Sequence, residues 1–157
     1  MGSIVASGGW YSDNDNYNDR DPAHLFDMDP TTYLGTPNGT GDESFFIKDL
    51  GASYRLTGAA YAFHKSEKWA SGFTIEVTND KDWETATWIT LDLVGDTTAS
   101  AGTLLFDPTD ARYIRVSTTE NRWQWMDSLE FYAVPVPEPM TMSLLALGGL
   151  AVLRRRR

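Results

Sequence analysis

The sequence contains no cysteine and only two histidines, His24 and His64. The missing cysteines exclude a disulfide framework, thiolate metal sites and a cysteine nucleophile. Two histidines are too few for a histidine-rich metal centre. The chain also lacks a Gly-x-Ser-x-Gly elbow, a phosphate-binding glycine loop and a His-Glu-x-x-His motif. We therefore expect that the protein is not an enzyme.

Positive charge is scarce in most of the chain. Residues 1–133 hold nine lysines and arginines against 21 aspartates and glutamates, which gives a net charge of −12, and the other four arginines are residues 154–157. Because an acidic surface repels phosphate backbones, we expect no nucleic-acid partner. Such a surface suits a divalent cation or a neutral ligand such as a sugar.

Apolar spacing typical of a helix is absent before residue 134, and short strand patterns take its place. Phe73–Thr78 alternates strictly, so Phe73, Ile75 and Val77 are expected on one face of a strand. Arg112 and Arg115 alternate with inward apolar residues and are expected to pair with acidic side chains. The pattern indicates an all-β fold, an antiparallel sandwich or barrel. The expected strands are 4–6, 44–50, 56–63, Phe73–Thr78, 88–93, 103–106, 113–117 and 128–133.

Residues 24–33 combine two carboxylates, a proline and two threonines with apolar side chains. Asp27 and Asp29 lie two residues apart, and Pro30 presets φ for a tight corner. Three interpretations compete for this stretch: an acid/base pair, a metal loop, or a corner that pins one end of a β-sandwich. Catalysis is the weakest of these, because two carboxylates in one tight loop do not flank a cleft.

Five segments in chain order resemble the discoidin-type domains, the coagulation-factor C-type family. They are Phe26-Asp27-x-Asp29-x-x-Thr32-Tyr33, residues 47–51, residues 73–80 with Trp83, residues 111–116 and residues 129–132. The resemblance covers roughly residues 3–133. It implies that residues 1–133 form one antiparallel β-sandwich of the jelly-roll, galactose-binding-like type.

The resemblance also implies a structural calcium ion held by the aspartate-rich loop. Asp27 would supply a carboxylate, Asp29 a carbonyl, and Thr32 its hydroxyl and carbonyl. Family members usually close this site with a glutamate, but Ser128 stands at that position here. Asp127, or Glu130, would then have to replace the missing carboxylate. A metal-free corner is the alternative.

Family resemblance further implies a ligand site in loops at one end of the sandwich. Sugar faces stack on aromatic rings, and polar side chains fix their orientation. The expected ligand contacts are Trp10, Tyr11, His64, Lys65, Trp69, Arg122, Trp123 and Trp125. This predicts a carbohydrate-binding module. A tryptophan beside a strand is often a core residue, so the alternative is a structural matrix or envelope protein that makes protein or surface contacts without a sugar pocket.

The C-terminal segment has a different composition from the rest. Residues 134–139 read Val-Pro-Val-Pro-Glu-Pro, an extended spacer. Residues 140–153 are apolar except for Thr141 and Ser143, and are shorter than the roughly 20 residues of a membrane-spanning helix. The Pro-Glu-Pro motif, the apolar run and the terminal arginines resemble the PEP-CTERM sorting signal, with residues 140–157 as its tail.

This second resemblance implies a bacterial protein that is exported and destined for the cell surface, envelope or extracellular matrix. Its tail would insert transiently into the membrane and be removed near the Pro-Glu-Pro motif by an exosortase-type sorting enzyme. A plain tail anchor is the alternative. Residues 1–7 show neither basic residues nor a long apolar run, so they contain no recognisable export signal. We hypothesise that the native chain begins upstream of Met1; an in-frame stop codon directly before Met1 would contradict this.

Overall fold

The computed structural model describes residues 2–8, 22–26, 34–35, 44–63, 72–94, 101–118 and 125–137. All strand pairings in these ranges are antiparallel, which confirms the expected all-β fold. The elements in chain order are β1 (Ser3–Gly8), a 3-10 helix (Pro22–Phe26), β2 (Leu34–Gly35), β3 (Phe45–Phe63), β4 (Phe73–Thr78), β5 (Ile89–Val94), β6 (Ala101–Thr118) and β7 (Trp125–Pro135).

The strands form two layers that share β3 and β6. In the front layer, the first part of β3 lies between β1 and the last part of β6. On its other side, this part of β6 pairs with β4, and β4 pairs with β5. In the back layer, the later part of β3 lies between β7 and the first part of β6, and β2 extends β7. The path of neighbours is therefore β2-β7-β3-β6-β4-β5, with β1 on β3.

The expectation that one strand ends at residue 50 and another begins at residue 56 is wrong, because β3 runs through both. Pairing with β6 jumps from Asp49 opposite Tyr113 to Tyr54 opposite Ala111, so β3 carries extra residues at this point. Gly51 lies there with φ of 83°, a conformation that costs glycine little. The glycine bends the strand between the two layers and does not end it.

The predicted strands 103–106 and 113–117 are likewise one strand, β6. Here Leu56 lies opposite Thr109 and Gly58 opposite Leu105, so three residues of β6, 106–108, face one residue of β3 in a bulge. Pro108 has no backbone N–H to donate, and a bulge is a position where none is required. The Asp-Pro pair that predicted a strand end marks a bulge instead.

The core lies between the two layers. Phe73, Ile75 and Val77 are buried on one face of β4, as their alternation predicts, and Ile114 and Val116 are buried on β6. The back layer contributes Leu56 and Ala59 of β3 together with Leu129 of β7. Burial of each large apolar side chain contributes roughly 1.5–3 kcal/mol relative to its exposed state.

Two arginines of β6 form the ion pairs expected from their alternation. Arg112 donates to both carboxylate oxygens of Asp49 at 2.9 Å. Arg115 pairs with Glu76 on β4 at 2.6 Å, and its guanidinium lies 4.8 Å from the ring centre of Trp88. Both pairs join neighbouring strands of the front layer.

No helix in the described part of the chain is long and apolar enough to cross a membrane. The predicted sorting tail, residues 140–157, lies outside the described residues.

Candidate functional site at the loop end

Strand register brings many strand ends together at one end of the sandwich, here called the loop end. Gly8 lies opposite Phe45, which lies opposite Ser117 on β6. Phe73 pairs with both Thr118 and Val94. In the back layer, Ala62 lies opposite Ala101, and Phe63 opposite Met126. The loop end therefore comprises Gly8, Phe45, Phe63, Phe73, Val94, Ala101, Thr118 and Trp125.

Each expected ligand-binding residue belongs to a segment that starts or ends here. Trp10 and Tyr11 follow Gly8, and residues 64–71, which hold His64, Lys65 and Trp69, follow Phe63. The segment with Arg122 and Trp123 joins Thr118 to Trp125, the first residue of β7. Only the backbone of Trp125 is described, and the other seven residues lie outside the described ranges. Their contacts with a ligand stay a prediction.

A buried aromatic cluster lies beneath the loop end. Tyr61 and Phe63 of β3 and Phe73 of β4 are all at least nine-tenths buried. The ring centres of Tyr61 and Phe73 are 5.3 Å apart in an edge-to-face arrangement, as are those of Tyr61 and Phe63. Each such contact contributes about 0.5–1.5 kcal/mol beyond area burial. Because the cluster joins both layers, it holds the ends of β3 and β4 in fixed positions.

The end of β6 is fixed by a second contact. The Thr118 backbone N–H donates to the Ser44 carbonyl at 2.9 Å, and the Ser44 N–H donates to the Thr118 hydroxyl oxygen at 3.3 Å. Both residues are buried. Sequence analysis singled out neither this pair nor the aromatic cluster, since a pairing over 74 residues leaves no local signal.

The aspartate-rich stretch is held at both of its ends. The 3-10 helix ends at Phe26, directly before Asp27, and packs against β7. On the other side, β2 begins at Leu34, which lies opposite Met126 on β7. Two of the expected metal ligands, Asp127 and Ser128, follow Met126 in β7. The other three, Asp27, Asp29 and Thr32, lie outside the described residues.

Asp127 occupies an irregular position in the back layer. Ala62 lies opposite Ser128 and Phe63 opposite Met126, so Asp127 is the extra residue of a bulge. Bulges re-aim side chains at sites of function. Glu130, the other candidate carboxylate, is exposed and lies four residues beyond Met126, roughly 13 Å along a strand. Within the described ranges no three His, Cys, Asp or Glu side chains are grouped closely enough to hold a metal ion.

Together these strands define a galactose-binding-like jelly roll, an antiparallel β-sandwich. Several solved structures share the fold. The C-terminal domain of a chitobiase from Bacteroides fragilis superposes with a TM-score of 0.72 at 15% identity, over 87% of this chain and 95% of that chain. The chitosan-binding module 2 of a chitosanase/glucanase from Paenibacillus sp. IK-5, in complex with chitotriose, gives 0.67 at 15% identity, over 83% and 95%.

A third similar structure is the CBM32 module of AlyQ in complex with 4,5-unsaturated mannuronic acid. Its TM-score is 0.59 at 21% identity, over 84% of this chain and 98% of that chain. A search of curated proteins found no significant match.

The chain belongs to the F5/8 type C domain family, whose model matches residues 5–131. Residues 135–157 match the PEP-CTERM protein-sorting motif. Both resemblances read from the sequence are confirmed. The motif implies export, sorting to the cell envelope or surface, and processing by an exosortase-type enzyme.

Proposed function

We propose that the protein is an exported, non-catalytic module that binds carbohydrate through the loop end. The observation that supports the proposal is the register of the strands, which brings to one end the strand ends that flank the segments with the eight candidate contact residues. The acidic domain, with its few basic groups, favours a neutral or cation-bridged sugar over a polyanion.

Two of the similar structures support the same class of ligand, since their names describe modules bound to chitotriose and to an unsaturated mannuronic acid. The sorting motif places the function outside the cytoplasm, where a module of this kind meets the polysaccharides of an envelope or extracellular matrix. The sugar that binds is left to experiment.

One observation favours the alternative of a structural protein that makes surface contacts without a sugar pocket. On the outer face of the back layer, Leu105 and Tyr132 lie on either side of Gly58, and Val134 follows two residues along β7. These side chains are 77%, 43% and 62% exposed. Such a strip of exposed apolar surface is suited to protein contact.

A glycan array followed by calorimetry on the full chain, in calcium-containing buffer, tests the carbohydrate proposal. Trp69→Ala and Trp123→Ala should each weaken polysaccharide binding by about fivefold to thirtyfold, because a stacked ring contributes on the order of 1–2 kcal/mol. Trp83→Ala is the matched control. Trp83 lies in the turn between β4 and β5, at the end of the sandwich away from the loops, and its loss should leave binding unchanged.

Absence of binding to every polysaccharide on the array would contradict the carbohydrate proposal. Surface adhesion that is lost in Leu105→Ser and Tyr132→Ser, with Trp69→Ala unaffected, would then support the structural alternative.

We also propose that Asp27, Asp29 and Thr32 hold a structural calcium ion, with Asp127 as the closing carboxylate. The support is positional: the 3-10 helix that precedes residue 27 packs against β7, and Leu34, which follows residue 33, lies opposite Met126, the neighbour of Asp127. Ser128 occupies the position where family members usually have a glutamate. It follows Asp127 in β7, and its side chain carries no charge. Oxygen ligands of this kind suit a hard cation.

Calcium should raise the melting temperature relative to the same protein in chelator, because an ion that binds only the folded state stabilises it by mass action. At a free concentration 100 times Kd the gain is about 2.7 kcal/mol. Asp27→Asn and Asp127→Asn should each remove most of this gain, whereas Glu130→Gln should keep it. A melting temperature that calcium does not change would support the metal-free corner.

A further inference from the structure

A cavity of about 400 Å³ lies on one side of the sandwich, where the 3-10 helix covers the gap between β7 and the front layer. Its walls are formed by Leu25 and Phe26 of the helix, Leu50 and Tyr54 of the β3 bend, and residues of β7 that include Leu129 and Phe131. The volume is within the usual range of small-molecule sites, roughly 300–1,000 Å³. The β3 bend that lines this space lies in the middle of the strand, whereas both ends of β3, Phe45 and Phe63, lie at the loop end, so the bend is at the other end of the sandwich.

Among the described residues that line this cavity, Lys48 is the only one whose charged side chain is buried. It lies on the inner face of β3, two residues from the fully buried Phe46, and is only 9% exposed. Its ammonium group lies 3.7 Å from the ring centre of Phe26. No carboxylate in the described ranges forms an ion pair with it, and burial lowers the pKa of Lys48.

The remaining polar groups of the described lining are few and lie on Tyr54, Ser128 and Glu130. Glu130 is exposed, so solvent screens its charge. Most of the wall is aliphatic or aromatic. A buried cation in apolar surroundings is costly unless it is paired, and the face of Phe26 offers only partial compensation.

These features define what a ligand would need. A single negative group would pair with the ammonium, and an apolar body would match the walls. A doubly charged group such as phosphate would leave one charge without a partner in an apolar space. We propose that the cavity binds an organic monocarboxylate with an apolar body, its carboxylate on Lys48 and its hydrocarbon part between the 3-10 helix and β7.

Calorimetry on the unmodified full chain tests this with octanoate and 3-phenylpropanoate against their neutral amides, octanamide and 3-phenylpropanamide. Each acid should bind at least about tenfold more tightly than its amide, because only the acid brings a negative charge that forms an ion pair with the buried ammonium. Amide NMR signals of Phe26, Lys48 and Phe131 should shift on addition of the acid. This comparison needs no variant.

Lys48→Met adds a second test, because methionine keeps an unbranched apolar side chain and removes only the ammonium group. The preference for acid over amide should disappear in this variant. Lys81→Met is the matched control, since Lys81 is exposed in the turn after β4, and it should keep the full preference. All three proteins retain residues 140–153, so adsorption to that apolar run is the same in each.

Three results would overturn the proposal: no saturable binding of either acid, amides that bind as tightly as the acids, or a Lys48→Met variant that keeps the wild-type preference. None of these results depends on the loop end binding carbohydrate.

Discussion

Asp49 connects three parts of the front layer at the point where β3 bends. Its carboxylate accepts both donors of the Arg112 fork, and its Oδ1 also accepts the Gly51 backbone N–H at 2.7 Å. The hydrogen bond from Arg112 is the main cause of the lowered pKa of Asp49, and the Gly51 N–H acts in the same direction. This one side chain therefore stabilises the bend and joins it to β6.

The lowered pKa predicts how stability depends on pH. A carboxyl whose pKa is lower in the folded state than in the unfolded state stabilises the fold above the unfolded value, about 3.9, and that stabilisation is lost as pH falls through the folded value. Thermal melts between pH 7 and pH 2 should therefore fall less steeply for Asp49→Asn than for the wild type. The variant should melt lower at pH 7 and converge with the wild type in acid.

Asp110→Asn provides the comparison for Asp49. The ion pair between Arg55 and Asp110 has the same fork geometry but is much more exposed, with side chains that are 57% and 38% accessible, respectively. Exposed pairs are screened by salt. In 0.5 M NaCl the effect of Asp110→Asn should vanish while that of Asp49→Asn persists. Equal salt sensitivity of the two variants would show that Asp49 acts only as a surface charge.

Among the elements, the short 3-10 helix contributes directly to the core and packs against β7. Leu25 is 1% exposed within the main core, and the ring of Phe26 meets that of Phe46 edge to face at 5.9 Å. Five residues thus cover one side of the sandwich and place the start of the aspartate-rich stretch against β7. Sequence analysis identified the stretch as a structural corner among other interpretations, but it did not identify a helix there.

Leu25→Ala should destabilise the fold by about 2–5 kcal/mol, because it removes a buried side chain and leaves a cavity. Denaturant unfolding measures the loss. Val5→Ala on β1 is the matched control; Val5 is 41% exposed, and its truncation should cost well under 1 kcal/mol. If both variants lose the same stability, the 3-10 helix does not belong to the cooperative core.

At the scale of the whole molecule, the chain joins an F5/8 type C domain to a sorting signal. The F5/8 type C match ends at residue 131 and the sorting motif begins at residue 135. The last described residues, Val136 and Pro137, stay next to the sandwich, since the Val136 N–H donates to the Ser53 carbonyl at 3.1 Å. The processing motif therefore begins directly at the surface of the domain, with no long linker between them.

Replacement of Pro137, Glu138 and Pro139 by alanine should block removal of the tail in the producing cell. The expected result is a full-length protein retained with the membrane fraction, whereas the wild type is processed to a shorter form; mass spectrometry of the two fractions distinguishes them. Alanine in place of Thr141 and Ser143 is the control and should leave processing intact. Normal processing of the triple variant would contradict recognition at this motif.

The sequence by itself determined the class of fold, the order of its motifs and the faces of its clearest strands. Alternation of period two is a local property, so the burial of Phe73, Ile75 and Val77 and the outward pairing of Arg112 and Arg115 could be predicted. The sorting signal could also be predicted from local sequence, since three adjacent parts define it: the Pro-Glu-Pro motif, the apolar run and the terminal arginines. The strand ends predicted at Gly51 and at Pro108 were wrong, because glycine and proline occur at bulges as readily as at strand ends.

Only the tertiary structure decided which segments share an end of the sandwich and which side chains face a cavity. Strand register depends on pairings between residues tens of positions apart, so no local pattern shows that the strand ends at Gly8, Phe63 and Thr118 lie at the same end of the sandwich. The burial of Lys48 depends on a helix more than 20 residues earlier in the chain. Lys48 lies on the same face of β3 as the buried Phe46, and the packing of the 3-10 helix against that face buries its side chain.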